Sequence, residues 1–123
     1  MKNSVILNDQ FSIYIAQAAQ CLRNNESEKA FDIIIKAMQL EPDAPQPHNL
    51  LGILYELKGD GNRARRHYRA AYSLDPTFKP ACKNLEQICT VLDDKKPRVY
   101  DFGDRPEDSG AAFTDNSRGF RRA

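Results

Sequence analysis

Residues 48–76 read HNLLGILYELKGDGNRARRHYRAAYSLDP, and two periodicities in this stretch decide the fold. His48, Leu51, Gly52 and Tyr55 recur at three- and four-residue steps, as do Ala64, Tyr68 and Ala71, so each set lies along one face of a helix. Between the sets, Lys58-Gly59-Asp60-Gly61 breaks the pattern with turn chemistry, Gly59 suiting a left-handed helix end and Asp60 an N-cap. Pro76 closes the second helix because proline has no N–H with which to continue it. The stretch predicts a helix, a tight turn and a second helix.

Working outward, Leu74-Asp75-Pro76 has a counterpart 34 residues earlier in Leu40-Glu41-Pro42. The same offset pairs Ala64 with Ala30, Tyr68 with Ile34, Ala71 with Ala37, Gly59 with Asn25 and Tyr55 with Cys21. Small residues meet small ones, and large apolar residues mostly meet large apolar ones, which is the mark of an internal repeat. Tyr14, Ala18 and Cys21 form the first stripe of the earlier unit, and Ala30, Ile34 and Ala37 the second, with Asn25 and Ser27 expected to supply the turn and the N-cap. Gln17, opposite Leu51, is the polar exception. A further step of 34 falls on Cys82, Leu85, Glu86 and Cys89, predicting a fifth, unpaired helix from Lys79 to about Leu92.

These positions resemble the tetratricopeptide repeat, a 34-residue helix pair marked by a large residue, Leu, Gly, Tyr, then Ala, an aromatic, Ala and Pro. The second unit carries Leu51, Gly52, Tyr55, Ala64, Tyr68, Ala71 and Pro76, with His48 in the large-residue place. The first keeps Tyr14, Ala30, Ala37 and Pro42 but substitutes Gln17, Ala18, Cys21 and Ile34. The resemblance implies an all-α chain of five helices, with antiparallel helix-turn-helix repeats stacked as a short right-handed superhelix. Its parts would be an N-terminal segment 1–10, repeats 11–44 and 45–78, a capping helix 79–92, and a tail 93–123.

The family's usual function is to hold a peptide or protein on the concave face lined by the first helix of each pair. Carried over by position, that groove comprises Ile15, Ala19, Leu22 and Arg23 from the first pair, Asn49, Ile53, Glu56 and Leu57 from the second, and Lys83 and Gln87 from the cap, flanked by Ser12, Gln46, Thr90 and Val91. Ile15, Ala19, Leu22, Ile53 and Leu57 would form an apolar strip, with Asn49 and Gln87 available to bond a ligand's backbone. Relatives that capture the acidic C-termini of heat-shock chaperones use Lys, Asn and Arg at places occupied here by Ile15, Ala19, Pro80 and Asn84, so no such carboxylate clamp is expected.

Other chemistries find little support. The 18 basic and 17 acidic residues leave a net charge of +1, which gives no global attraction to nucleic acid or membrane. Arg63, Arg65, Arg66, His67 and Arg69 crowd one helix, but the repeat places them on the outer face and buries Tyr68, the one aromatic among them. His48 and His67 have no ligand partners at helical spacing, Asp101-Phe102-Gly103 lacks the rest of a kinase's machinery, and no catalytic motif is present. The expectation is therefore no enzyme, no cofactor or metal, and no small-molecule substrate. Three cysteines without Cys-x-x-Cys spacing read as small core residues. Together with Val5-Ile6-Leu7 as the longest apolar run near the N-terminus, they favour a cytoplasmic location.

Two features ask for partners. Phe31, Ile33 and Ile35 make the second helix of the first unit more apolar than its counterpart needs, which suggests cover by Val5-Ile6-Leu7, by the next repeat or by a second copy as a homodimer. From Asp93 onward, seven acids, seven bases and three glycines with few aliphatics predict disorder in isolation. Yet Tyr100, Phe102, Phe113 and Phe120 lie in that tail, whose typical reach of about 30 Å exceeds the length of a helix of this size. Val99 to Phe102 can therefore lie in the groove, of its own chain or of a neighbour's, and compete with a ligand.

Overall fold

The computed structural model describes residues 2–90 and 98–104, with side chains from residue 10 onward. The described residues form five helices and no strand: α1 (Lys2–Arg23), α2 (Ser27–Leu40), α3 (Gln46–Leu57), α4 (Gly61–Leu74) and α5 (Lys79–Cys89). The expected second to fourth helices are present where the periodicity places them. Helix α1 continues back to Lys2, so residues 2–10 extend the first helix instead of forming a separate segment. Helix α5 stops at Cys89, where the Thr90 hydroxyl bonds back to the Glu86 carbonyl at 2.8 Å. Of the residues expected to prolong it, Val91 and Leu92 fall outside the described residues, as does the rest of the tail apart from 98–104.

The repeat is visible in the backbone as well as in the side chains. Asn25 (φ 62°) and Gly59 (φ 84°) both take the left-handed conformation that ends a helix. The next amide in each case reaches back five residues, Glu26 to the Cys21 carbonyl and Asp60 to the Tyr55 carbonyl, both at 2.8 Å. The two turns are thus the same motif at the same offset. Their caps differ. Asp60 accepts from the Arg63 amide at 3.0 Å, as expected, but the N-cap of α2 is Glu26, which makes no side-chain cap bond, and Ser27 is the first helical residue. The offset pairs Ser27 with Gly61, not with Asp60, which explains the misplacement.

Ala30, Ile34, Ala37, Ala64, Tyr68 and Ala71 are all fully buried, and Ala18 and Leu51 join them in the core. Gly52 is required by Tyr68: a Cβ there would stand 2.3 Å from the ring's Cε1. In the first unit the corresponding pair is Ala18 with the smaller Ile34, so the extra methyl is matched by lost ring volume. Gln17 is exposed, which settles its amide in water. Its counterpart Leu51 is buried because α3 has neighbours on both sides, whereas among the described helices α1 packs on α2 and α3 alone.

Helices pack in sequence, and α3 also touches both α1 and α5. Among the described residues α2 and α4 make no mutual contact. The three first-of-pair helices therefore form one continuous wall while the second helices splay apart. This is consistent with a helical-repeat arrangement, and the wall is where the expected groove lies. No helix among the described residues is long and apolar enough to cross a membrane.

Candidate functional site: a groove holding residues 98–104

The wall formed by α1, α3 and α5 is occupied by the chain's own residues 98–104. This irregular segment is held by backbone reading. Asn84 on α5 accepts from the Asp101 N–H at 2.9 Å and donates to the Asp101 carbonyl at 2.8 Å. Asn49 on α3 donates to that same carbonyl at 2.9 Å. One turn further along α5, Gln87 donates to the Val99 carbonyl at 2.8 Å and accepts from its N–H at 3.3 Å. Both backbone groups of residues two apart thus face the same wall, the spacing of an extended chain.

The two asparagines are themselves locked together. The Asn84 amide donates to Asn49 Oδ1 at 2.8 Å, and both residues are fully buried. A buried amide that is fully paired is rigid, and one left unpaired costs on the order of 1–3 kcal/mol, so the wall is built around an extended segment in this position.

Charged groups clamp the two ends. Arg98 Nε donates to Glu56 Oε1 at 2.9 Å while its Nη2 bonds Glu56 Oε2, and its guanidinium lies 4.5 Å from the Tyr100 ring centre. Burial opposes the charge on Arg98, but the bond and field of Glu56 more than offset this and hold its pKa above the ordinary value. Burial, then the negative field of Glu56, pushes the Tyr100 hydroxyl upward. At the other end Arg23 forms a two-pronged pair with Asp104, at 2.8 and 3.1 Å, and its guanidinium lies 4.3 Å from the Phe102 ring centre. Lys83 stands 3.5 Å from the Asp101 carboxylate, a pair exposed enough to add little.

Of the residues expected to line the groove, Arg23, Asn49, Glu56, Lys83 and Gln87 meet the segment. The apolar strip lies beneath the segment. Ile15, Ala19, Leu22 and Ile53 are at most 4% exposed and belong to the core on which Tyr100 and Phe102 pack, and only Leu57, at 37%, is open. They serve as the floor beneath the segment. Ser12 is exposed, and Gln46, with its side-chain oxygen buried and unpaired, borders a small cavity of about 120 Å³ beside Gly103 and Asp104. Asn84, which the sequence marks only as a place where a clamp residue is missing, binds both backbone groups of Asp101, as Gln87 does those of Val99. The available signal was positional: Asn84 falls one repeat after Leu50, a fully buried apolar residue, and an amide at a core position needs a polar partner.

Elsewhere, Ile33 packs against the core while Phe31, 40% exposed, and Ile35 lie on another side of α2, so the three do not form one surface. Phe31 borders a cleft of about 610 Å³ with Tyr55, Lys58 and Arg63. The side chains of Val5, Ile6 and Leu7, candidates to cover this helix, lie outside the described residues. Cys21 is buried as expected, but Cys82 is half-buried and Cys89 exposed, since among the described helices α5 packs only on α3 and α4. His48 and His67 stack with their Nδ1 atoms 3.2 Å apart, and His67 stacks in turn on Tyr55. No group of three or more metal-ligating side chains occurs among the described residues.

No family model, no curated protein and no solved structure matches the chain.

Proposed function

We propose that this chain is a protein-interaction module, one that holds an extended polypeptide segment in the groove of α1, α3 and α5. In particular it is an adaptor of the tetratricopeptide-repeat kind, its helices wound as a short right-handed superhelix, working in the cytoplasm without catalysis or cofactor. The observation that supports this reading is the seating of residues 98–104, in which side-chain amides bond both backbone groups of Val99 and Asp101. Backbone reading by fixed amides, with a charged clamp at each end, is what a surface for an extended peptide requires. The matching offsets of Asn25 with Gly59 and of Ala30, Ile34 and Ala37 with Ala64, Tyr68 and Ala71 support the repeat assignment.

The occupied groove also supports a second reading, a structural module closed by its own tail. Partner capture separates the two. With Arg98→Glu the chain's own segment loses its clamp to Glu56, and an adaptor then captures partners that the wild type does not. Adding Asn84→Ala removes them again. If release of the segment recruits nothing, or if what it recruits is indifferent to Asn84, the adaptor reading fails and the closed module remains.

A further inference from the structure

Resting on the peptide-holding reading above, we infer that the groove selects segments carrying the pattern of residues 98–104: an arginine, an aromatic two places on, and a Phe-Gly-acid triplet ending six places after the arginine. The partner is a polypeptide that carries this pattern and displaces the chain's own copy.

Each position is dictated by a different contact. The arginine place is set by Glu56, whose side chain is only 10% exposed and is already held by the Tyr68 hydroxyl at 2.6 Å. Both carboxylate oxygens are taken by the guanidinium, which also donates to the Asn84 carbonyl at 3.3 Å. Lysine, a point donor, cannot make this planar set. The aromatic place follows because the ring of Tyr100 lies under that guanidinium and on the core.

The glycine place is set twice over. Gly103 has φ +69°, a conformation that strains any L residue, and a Cβ there would stand 2.9 Å from Phe78 Cζ and 3.4 Å from the buried Pro80. The preceding Phe102 and the following Asp104 are both addressed by Arg23, one through its ring and one through its carboxylate. The remaining places are permissive: Val99 is 63% exposed, and Asp101 is held chiefly by its backbone.

The chain's own copy is tethered, at an effective concentration of roughly millimolar order, so the test must disable it. In the full chain with Arg98→Glu and Gly103→Ala, every groove residue remains while the resident segment loses two contacts. A fluorescein-labelled peptide of residues 97–105 is then titrated by anisotropy. It binds, and peptides with Arg98→Lys, Gly103→Ala or Asp104→Asn bind roughly ten- to a hundredfold more weakly, whereas Val99→Ser changes little. Equal binding of the Gly103→Ala or a scrambled peptide overturns the pattern but leaves the groove a peptide site. If none binds while Asn84-dependent partners are still captured, the pattern alone fails; if neither occurs, both readings fail.

A second measurement does not depend on the variant folding. In the wild-type chain, several-millimolar unlabelled peptide shifts the Asp101 amide resonance towards its free position, and the Gly103→Ala peptide does not. No shift, or the same shift from both, overturns the inference.

Discussion

The Tyr68 hydroxyl donates to Glu56 Oε2 at 2.6 Å, so the residue that fills the interior of the second repeat also fixes the carboxylate that holds Arg98. Tyr68 is fully buried, and burial, then its bond to Glu56, keeps its hydroxyl protonated well above the ordinary range. Tyr68→Phe retains the ring against Gly52 and deletes only the donor. A hydrogen bond to a charged group contributes about 1.5–3 kcal/mol, and chemical denaturation of this variant should show a loss of that order. Hydrogen exchange should meanwhile quicken at Val99 and Asp101. Unchanged exchange there would mean that Glu56 holds its position without Tyr68.

Gly52→Ala tests the close approach on the other side of the same ring. The added Cβ would overlap Tyr68 Cε1, Cδ1 and Cζ at 2.3 to 2.8 Å, and the ring is fully buried. Overpacking of this kind costs about 1–3 kcal/mol, so the midpoint of thermal unfolding should fall by several degrees. The double variant Gly52→Ala with Tyr68→Ile, which copies the first repeat's Ala18 and Ile34, should recover part of the loss.

The helices were legible because their determinants are local and repeated. Ala30, Ala37, Ala64 and Ala71 mark buried stripes, and Asn25 and Gly59 mark turns, by residue type alone. The end effects were harder. Gln17 reads as a misfit until its helix is seen to pack, among the described helices, on α2 and α3 alone, and Cys89 reads as core until α5 is seen to pack on α3 and α4 alone. The groove was half legible. Position in the repeat picks out Asn49, Glu56 and Gln87, but burial of Ile15, Ala19, Leu22 and Ile53 depends on which side chains reach across from neighbouring helices and from Tyr100 and Phe102. Asn84 belongs to no repeat position at which an amide is expected, and its role depends on a segment that arrives from outside the repeats.

The His48 and His67 pair gives the fold a pH dependence. Nδ1 atoms 3.2 Å apart need one donor and one acceptor, so at least one of the two rings must be neutral. Burial lowers the pKa of His48, and burial, then His48 and Arg63, lowers that of His67, from an ordinary value of 6.5. Protons therefore bind the unfolded chain more readily than the folded one. The stability this contributes is fully present above the unfolded value and is lost as pH falls below it, through the lowered folded values. Thermal midpoints measured from about pH 8 down to about pH 5 should decline, and His67→Gln should flatten the decline. A His67→Gln profile parallel to the wild type would assign the dependence to other groups.

Asn84→Asp isolates the donor at the centre of the groove. The aspartate keeps the size of the side chain and can still accept the Asp101 N–H, but it sets an oxygen against Asn49 Oδ1 and the Asp101 carbonyl, both now 2.8 Å from the amide nitrogen. Three acceptors then face one another in a fully buried place, at a cost of about 2–4 kcal/mol relieved either by ejecting the segment or by protonating the acid. Hydrogen exchange distinguishes the two. At neutral pH the Asp101 amide should lose its protection while core amides of α3 and α4 keep theirs, and lowering the pH should restore it. If Asp101 stays protected at neutral pH, the segment is held by Arg98, Arg23 and Gln87 without the buried amide pair, and Asn84 is only part of the floor.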